Sequence, residues 1–271
     1  MKSLFKLLSL ALMLMLAVPA NAQFGNIGNR IKNRAKNKVD SEINRAINNP
    51  STVVDAVESA IPEKGDAQGS GSVMINQATF KWDGKINHEK WNKSQKSTVT
   101  FSRFPTSFEE FVQVREVLGK EPQGAVALVI MAMELYHRDV DEGKEALKLI
   151  NTSTNYNSMY RQLKEVMGDD GAYNRPYLPA ALLKGANPKN AYTPDSPYQV
   201  KVRVNPVTKY QESELLDGIV IYLQVDSEGW DTNWRGIEVV KPDDEEYYFV
   251  SNCPAFYTQC KKIKGKYQGL K

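Results

Sequence analysis

The sequence is poor in the residues that most often carry chemistry: it has two histidines, His88 and His137, and two cysteines, Cys253 and Cys260. Nucleophilic catalysis of the Ser-His or Cys-His kind needs a base beside the nucleophile, and neither histidine lies in a recognisable signature. His137 ends an apolar run, Glu134-Leu135-Tyr136-His137-Arg138, where it suits a helix C-terminus. His88 lies in a Lys- and Asn-rich stretch that reads as surface loop. HExxH, paired Cys-x-x-Cys and EF-hand patterns are missing. Gly69-Ser70-Gly71-Ser72 has no following Lys to make it a phosphate loop. No cofactor and no metal are therefore expected. Asp169-Asp170 and Asp243-Asp244-Glu245-Glu246 have the acidity to hold calcium, but exposed turns share that composition. A strong excess of one charge is also lacking: the net charge is +3, which argues against nucleic acid as a partner. Carboxylate-pair hydrolysis needs only two acids about 5 Å or about 6.5–9.5 Å apart, and the sequence singles out no such pair.

Long apolar runs are scarce too. The one at the start, Leu7 to Val18, follows Lys2 and Lys6 and precedes Pro19 and Ala20-Asn21-Ala22, the three-part layout of a secretory leader. Crossing roughly 30 Å of hydrocarbon takes about 20 apolar residues, more than this run offers. Residues 1–22 are read as a cleaved signal, and the remainder as periplasmic or extracellular. In an oxidising compartment two cysteines most often pair, so a Cys253–Cys260 disulfide is expected. Its Cα atoms must come within about 7 Å, which obliges the segment between them to turn back on itself.

From Ile27 to Ile47 apolar residues recur every fourth position, a thin helical stripe. Its first half, with Arg30, Lys32, Arg34, Lys36 and Lys38, suits weak contact with an anionic membrane surface or a polyanion. The stripe lacks the Trp, Phe and Leu of strong interfacial helices, so it is read first as a solvated helix docking lightly on the body, or one partly disordered. Asn49 and Pro50 open a second short helix that Pro62 ends. Residues 23–64 are thus read as a basic, mobile helical arm and 65–72 as a flexible linker. The body, 73–271, begins with strands near Val73 to Trp82 and Thr98 to Phe104, with a turn at Asp83-Gly84. Helices occupy about 107–185. Ser107 with Glu110 reads as a capping box, and Pro122 opens a helix whose stretch Ala125 to Met133 is apolar all round and belongs in a core. From Tyr198 the period changes to two, giving strands at Tyr198–Val204, Gly218–Val225, Ile237–Val240 and Tyr247–Val250 within about 198–265. The fold class is α+β: a helical N-terminal half packed on a C-terminal antiparallel meander, preceded by the arm.

Ser107-Phe108-Glu109-Glu110-Phe111, Pro122-Gln123-Gly124-Ala125, Lys184-Gly185-Ala186-Asn187-Pro188, Trp234-Arg235-Gly236-Ile237 and Tyr248-Phe249-Val250 carry a resemblance from about Ser107 to Lys264. In these the chain resembles an uncharacterised family of exported bacterial proteins classed only as a domain of unknown function. The resemblance implies helices followed by sheet, and no activity. Trp230, Asp231, Asn233, Trp234 and Arg235 combine aromatic faces with hydrogen-bonding groups between two strands, a mixture suited to a sugar or peptide. The same residues also fit a loop in which one tryptophan plugs the core and Arg235 caps a carboxylate. The functional expectation is an exported, non-enzymatic binding or interaction domain for an envelope or extracellular protein or glycan, with an extracytoplasmic hydrolase as the alternative. If the leader is cleaved, N-terminal mass spectrometry of the exported protein should begin at Gln23; Met1 retained on protein inside the cell would contradict it.

Overall fold

The computed structural model describes residues 70–168, 174–206, 211–212 and 218–270. The leader, the arm, residues 65–69 of the linker and Asp169-Asp170 lie outside the described residues. Eight strands form one antiparallel sheet: β1 (Gly71–Ile75), β2 (Ala78–Asp83), β3 (Lys96–Phe101), β4 (Tyr198–Val204), β5 (Gln211–Glu212), β6 (Gly218–Asp226), β7 (Trp234–Pro242) and β8 (Phe249–Asn252). Their order is β1-β2-β3-β4-β6-β7-β8, with β5 paired to β6. Between β3 and β4 come helices α1 (Phe108–Leu118), α2 (Pro122–Arg138), α3 (Val140–Ile150), α4 (Ser153–Met167) and the single turn α5 (Leu178–Ala181). The chain is therefore α+β, and the sheet reaches further upstream than the C-terminal half. Three strands that precede the helices join the same meander, with β3 alongside β4 in a register running from Lys96↔Arg203 to Phe101↔Tyr198.

The stretch from Val73 to Trp82 is a hairpin rather than one strand. Asn76 and Gln77 both take positive φ (46° and 66°), the backbone of a tight two-residue turn, and Ile75 pairs with Ala78. No glycine marks the spot, and the polar pair Asn76-Gln77 is a short break between the apolar residues on either side. β1 begins at Gly71, so the last two residues of the linker stretch belong to the sheet.

Helix α2 occupies the centre. From Ala125 to Met133 no residue exceeds 1 % exposure, and the helix packs on α1, α3, α5, β3, β4, β7 and β8. Pro122 stands at its first turn, where a missing N–H costs nothing. Two glycines permit the neighbouring elements to come close. A Cβ on Gly124 would lie 1.8 Å from the Leu118 carbonyl oxygen, and one on Gly143 of α3 would lie 2.0 Å from Tyr136 Cα. The turn between α3 and α4 is tied to β8: Thr152 N–H donates to Val250 O at 3.0 Å, and Asn155 Nδ2–H donates to Asn151 Oδ1 at 2.6 Å.

The capping box at α1 forms only in part. Ser107 Oγ accepts from Glu110 N–H at 3.2 Å, as read, but the Glu110 carboxylate does not reach back to the backbone of Ser107. It accepts instead from Thr106 N–H and Oγ1–H, both at 2.8 Å, and from Arg103 at 2.7 and 3.0 Å. Arg103 also donates to Asn76 O, so one buried carboxylate fastens the β1–β2 turn to the start of α1. Burial alone would raise the Glu110 pKa; the bonds from Arg103 and Thr106 prevail and hold it below the usual carboxylate value. Its stabilisation is therefore complete above the ordinary carboxylate range and is lost as pH falls through the lowered native value. Glu110→Gln should cost about 2–3 kcal/mol in urea unfolding at neutral pH, with the gap to wild type closing in strong acid. A gap independent of pH would contradict the charged lock.

Candidate functional site

Alternation along β4, β6 and β7 divides their side chains between the core and an outer face. Val200, Val202, Ile221, Leu223, Val225, Ile237 and Val239 are buried. The pairs Asp226↔Trp234, Gln224↔Gly236 and Tyr222↔Glu238 place those six residues on the opposite face, with Arg203 beside Gln224 and Asn252 beside Glu238. There the Arg203 guanidinium lies 3.6 Å over the Trp234 ring, and its Nε–H donates to Gln224 Oε1 at 2.9 Å. Stacking of this kind fixes both partners. Next to Trp234 on the same strand face, no heavy atom comes within 4 Å of where a Gly236 Cβ would stand. Glu238 bounds this open ground, accepting from Asn252 Nδ2–H at 3.2 Å. Burial raises the pKa of both Glu238 and Tyr222, and for Tyr222 the neighbouring Glu238 charge adds to it.

The five residues singled out between β6 and β7 do not form one cluster. Trp230 is 3 % exposed, and its Nε1–H donates to Thr258 O. Arg235, paired with Val225 on the inner face, lies 4.8 Å over the Trp230 ring and donates through Nε–H to Ala255 O at 2.9 Å. Trp230 thus plugs the core, and Arg235 caps a carbonyl and not a carboxylate. Asp231 and Asn233 are exposed, Asp231 beside Lys261 at 3.2 Å. Trp234 alone joins the outer face. Arg203, Tyr222, Gln224, Gly236 and Glu238 had a signal in the alternation of their strands, but only the register shows that they meet.

The expected Cys253–Cys260 disulfide is not formed; both cysteines are buried free thiols. The intervening segment is not a free loop that can close. A 3-10 turn at Pro254–Phe256, the buried Phe256 ring and the carbonyl bonds from Trp230 and Arg235 hold it open. Cys253 Sγ faces Asn155 Nδ2 at 3.6 Å and Met159 Sδ at 3.7 Å, whereas Cys260 Sγ donates to the Tyr192 hydroxyl at 3.4 Å. Neither faces an imidazole. Burial pushes the Cys253 thiol up to about 12 and the Cys260 thiol up to about 11.

Two further ionisable groups are perturbed by burial. His88, on a 3-10 turn rather than an open loop, shares a hydrogen bond with the buried Tyr248, and burial lowers its pKa. Glu134, 1 % exposed on α2, pairs with Arg138 at 3.3 Å, and burial raises its pKa to about 7 against the lowering effect of Arg138. Among the described residues no cluster of three His, Cys, Asp or Glu side chains is arranged to hold a metal. Asp243, Asp244, Glu245 and Glu246 are exposed, and Glu246 pairs with Lys120 at 3.0 Å. No helix among the described residues is long and apolar enough to cross a membrane.

A central helix flanked by further helices and packed on an antiparallel meander, with a polar and aromatic outer sheet face, describes the fold. The chain belongs to the family described as a domain of unknown function (DUF6935), whose model matches residues 103–264. That match spans α1 to α5 and β4 to β8. No curated protein and no solved structure matches the chain.

The thiol geometry predicts that native protein resists alkylation and releases two reactive thiols only on unfolding. Non-reducing mass spectrometry showing Cys253 bonded to Cys260 would contradict it.

Proposed function

We propose that the chain is an exported binding module that takes a glycan on the outer face of its sheet, around Trp234 and Gly236. The supporting observation is the open ground over Gly236 beside a tryptophan held in place by Arg203. A sugar ring presents a flat apolar face and a rim of hydroxyls, which an indole edge and neighbouring amide and carboxylate groups match. Gln224, Glu238 and Asn252 supply those polar groups here, all three already oriented by bonds to their neighbours. These groups stand on paired strands of one sheet, which limits the ordering that binding requires.

Export rests on the leader-like start, Lys2 and Lys6 before Leu7 to Val18 and Ala20-Asn21-Ala22. Arg30, Lys32, Arg34, Lys36 and Lys38 would add a weak, salt-sensitive contact with an anionic membrane surface.

The test is a glycan array followed by calorimetry on the best binder. Gly236→Val fills space that nothing occupies in the unbound fold, so it should leave the thermal midpoint unchanged while weakening binding by about tenfold or more. Trp234→Ala should weaken it comparably. Binding that survives both substitutions would remove the outer face as the site.

A further inference from the structure

The end of the chain lies over the C-terminal end of α2. Backbone bonds tie it down at Lys261, whose N–H donates to Gly229 O at 2.8 Å, and at Lys264, whose N–H donates to Pro188 O at 2.8 Å. Beyond Lys264 no backbone–backbone hydrogen bond is made among the described residues, and Gln268 Nε2–H donates within the tail to Lys266 O at 3.3 Å. Gly265 (φ +113°) and Gly269 (φ +83°) bracket the tail in backbone conformations that glycine adopts without strain. What seats the tail is apolar contact. The Tyr267 ring packs edge-on to Tyr177 at 6.1 Å and lies 6.5 Å from the His137 ring, while Ile263 and Leu270 rest on the core.

Two polar atoms are left over at this place. Glu134 Oε2 and the Tyr267 hydroxyl are both buried, and neither has a hydrogen-bond partner. Buried polar atoms are seldom left so, and an unpartnered carboxylate oxygen is far costlier when charged than when protonated. The groups around Glu134 are few. Arg138 on its own helix is the charged group that acts on it. Glu134 in turn acts on Tyr267 of the tail, and Tyr198 of β4 and Arg138 act on Tyr267 as well.

We propose that residues 265–270 form a pH-gated strap, in which protonated Glu134 keeps Tyr267 seated and ionised Glu134 drives the tail to swing out about Gly265. Ionisation demands hydration of Oε2, and lifting Tyr267 provides it at small cost, because beyond Lys264 the tail gives up apolar contacts but no backbone ladder. The sign follows from linkage: the seated state binds the proton more tightly than an opened, hydrated one. The strap's hold is thus full below the ordinary carboxylate range and is lost as pH rises through about 7, the value to which burial brings Glu134.

Hydroxyl-radical footprinting reads the seat directly, with the 71 % exposed Met74 as internal reference. Oxidation of Tyr267 should rise about fivefold between about pH 5.5 and about pH 8.5 with a midpoint near 7, while far-UV circular dichroism stays constant. Glu134→Gln should hold Tyr267 at the low rate throughout. His137→Gln should keep the wild-type rise. A flat wild-type profile, an unchanged rise in Glu134→Gln, or loss of the rise in His137→Gln would each overturn the proposal. The wild-type profile alone decides if the Glu134 variant does not fold.

Discussion

A helix that is apolar on every side has no face to offer water. The stretch Ala125 to Met133 carries valine, leucine, isoleucine and methionine around its whole circumference, and each such side chain gains about 1.5–3 kcal/mol from full burial. The remaining elements can be read as the means of enclosing it. α1 and α3 lie against it closely enough to require Gly124 and Gly143. The sheet supplies β3, β4, β7 and β8 to pack against it. Strands from both sides of the helical segment are needed for this, which explains why β1 to β3, far upstream in sequence, complete one meander with β4 to β8.

Enclosure also sorts the polar residues. At the core's margins a buried charge persists only where partners are supplied. Glu110 has Arg103 and Thr106, and its carboxylate joins a hairpin turn to a helix start. Glu134 has Arg138 on one oxygen and nothing on the other, so its charge is poorly supported. The same α2 thus ends on a carboxyl whose proton affinity reports how well the tail covers it. On the opposite face of the sheet Arg203, Trp234 and Gln224 order one another across three strands.

Much of this was legible in the residues. The uniform apolarity of Ala125 to Met133, Pro122 before it and the two-residue alternation from Tyr198 to Val204 each follow from local physics and hold in the structure. The hairpin at Asn76-Gln77 was hidden because its turn uses no glycine or proline and its polar break is only two residues long. The partner of β3 was hidden because it lies on the other side of five helices. The five-residue cluster at Trp230 to Arg235 shows the limit most plainly. Composition proposes an aromatic and polar grouping, but the flip of side chains along β7 sends Arg235 inward to Trp230 and Trp234 outward to Arg203. The cysteines illustrate the same point from another side. Their spacing permits a turn, but Trp230 and Arg235 bind the carbonyls between them and leave each thiol with its own neighbours.

If enclosure of α2 is what the fold depends on, the amides of Val126 to Met133 can exchange with solvent only when the whole body unfolds. Native-state hydrogen exchange in increasing urea tests this: those amides should share the free energy and denaturant slope of the paired amides of β6 and β7. Exchange of α2 at a lower free energy, with the sheet still protected, would show that the strands stand without the helix and would contradict the account.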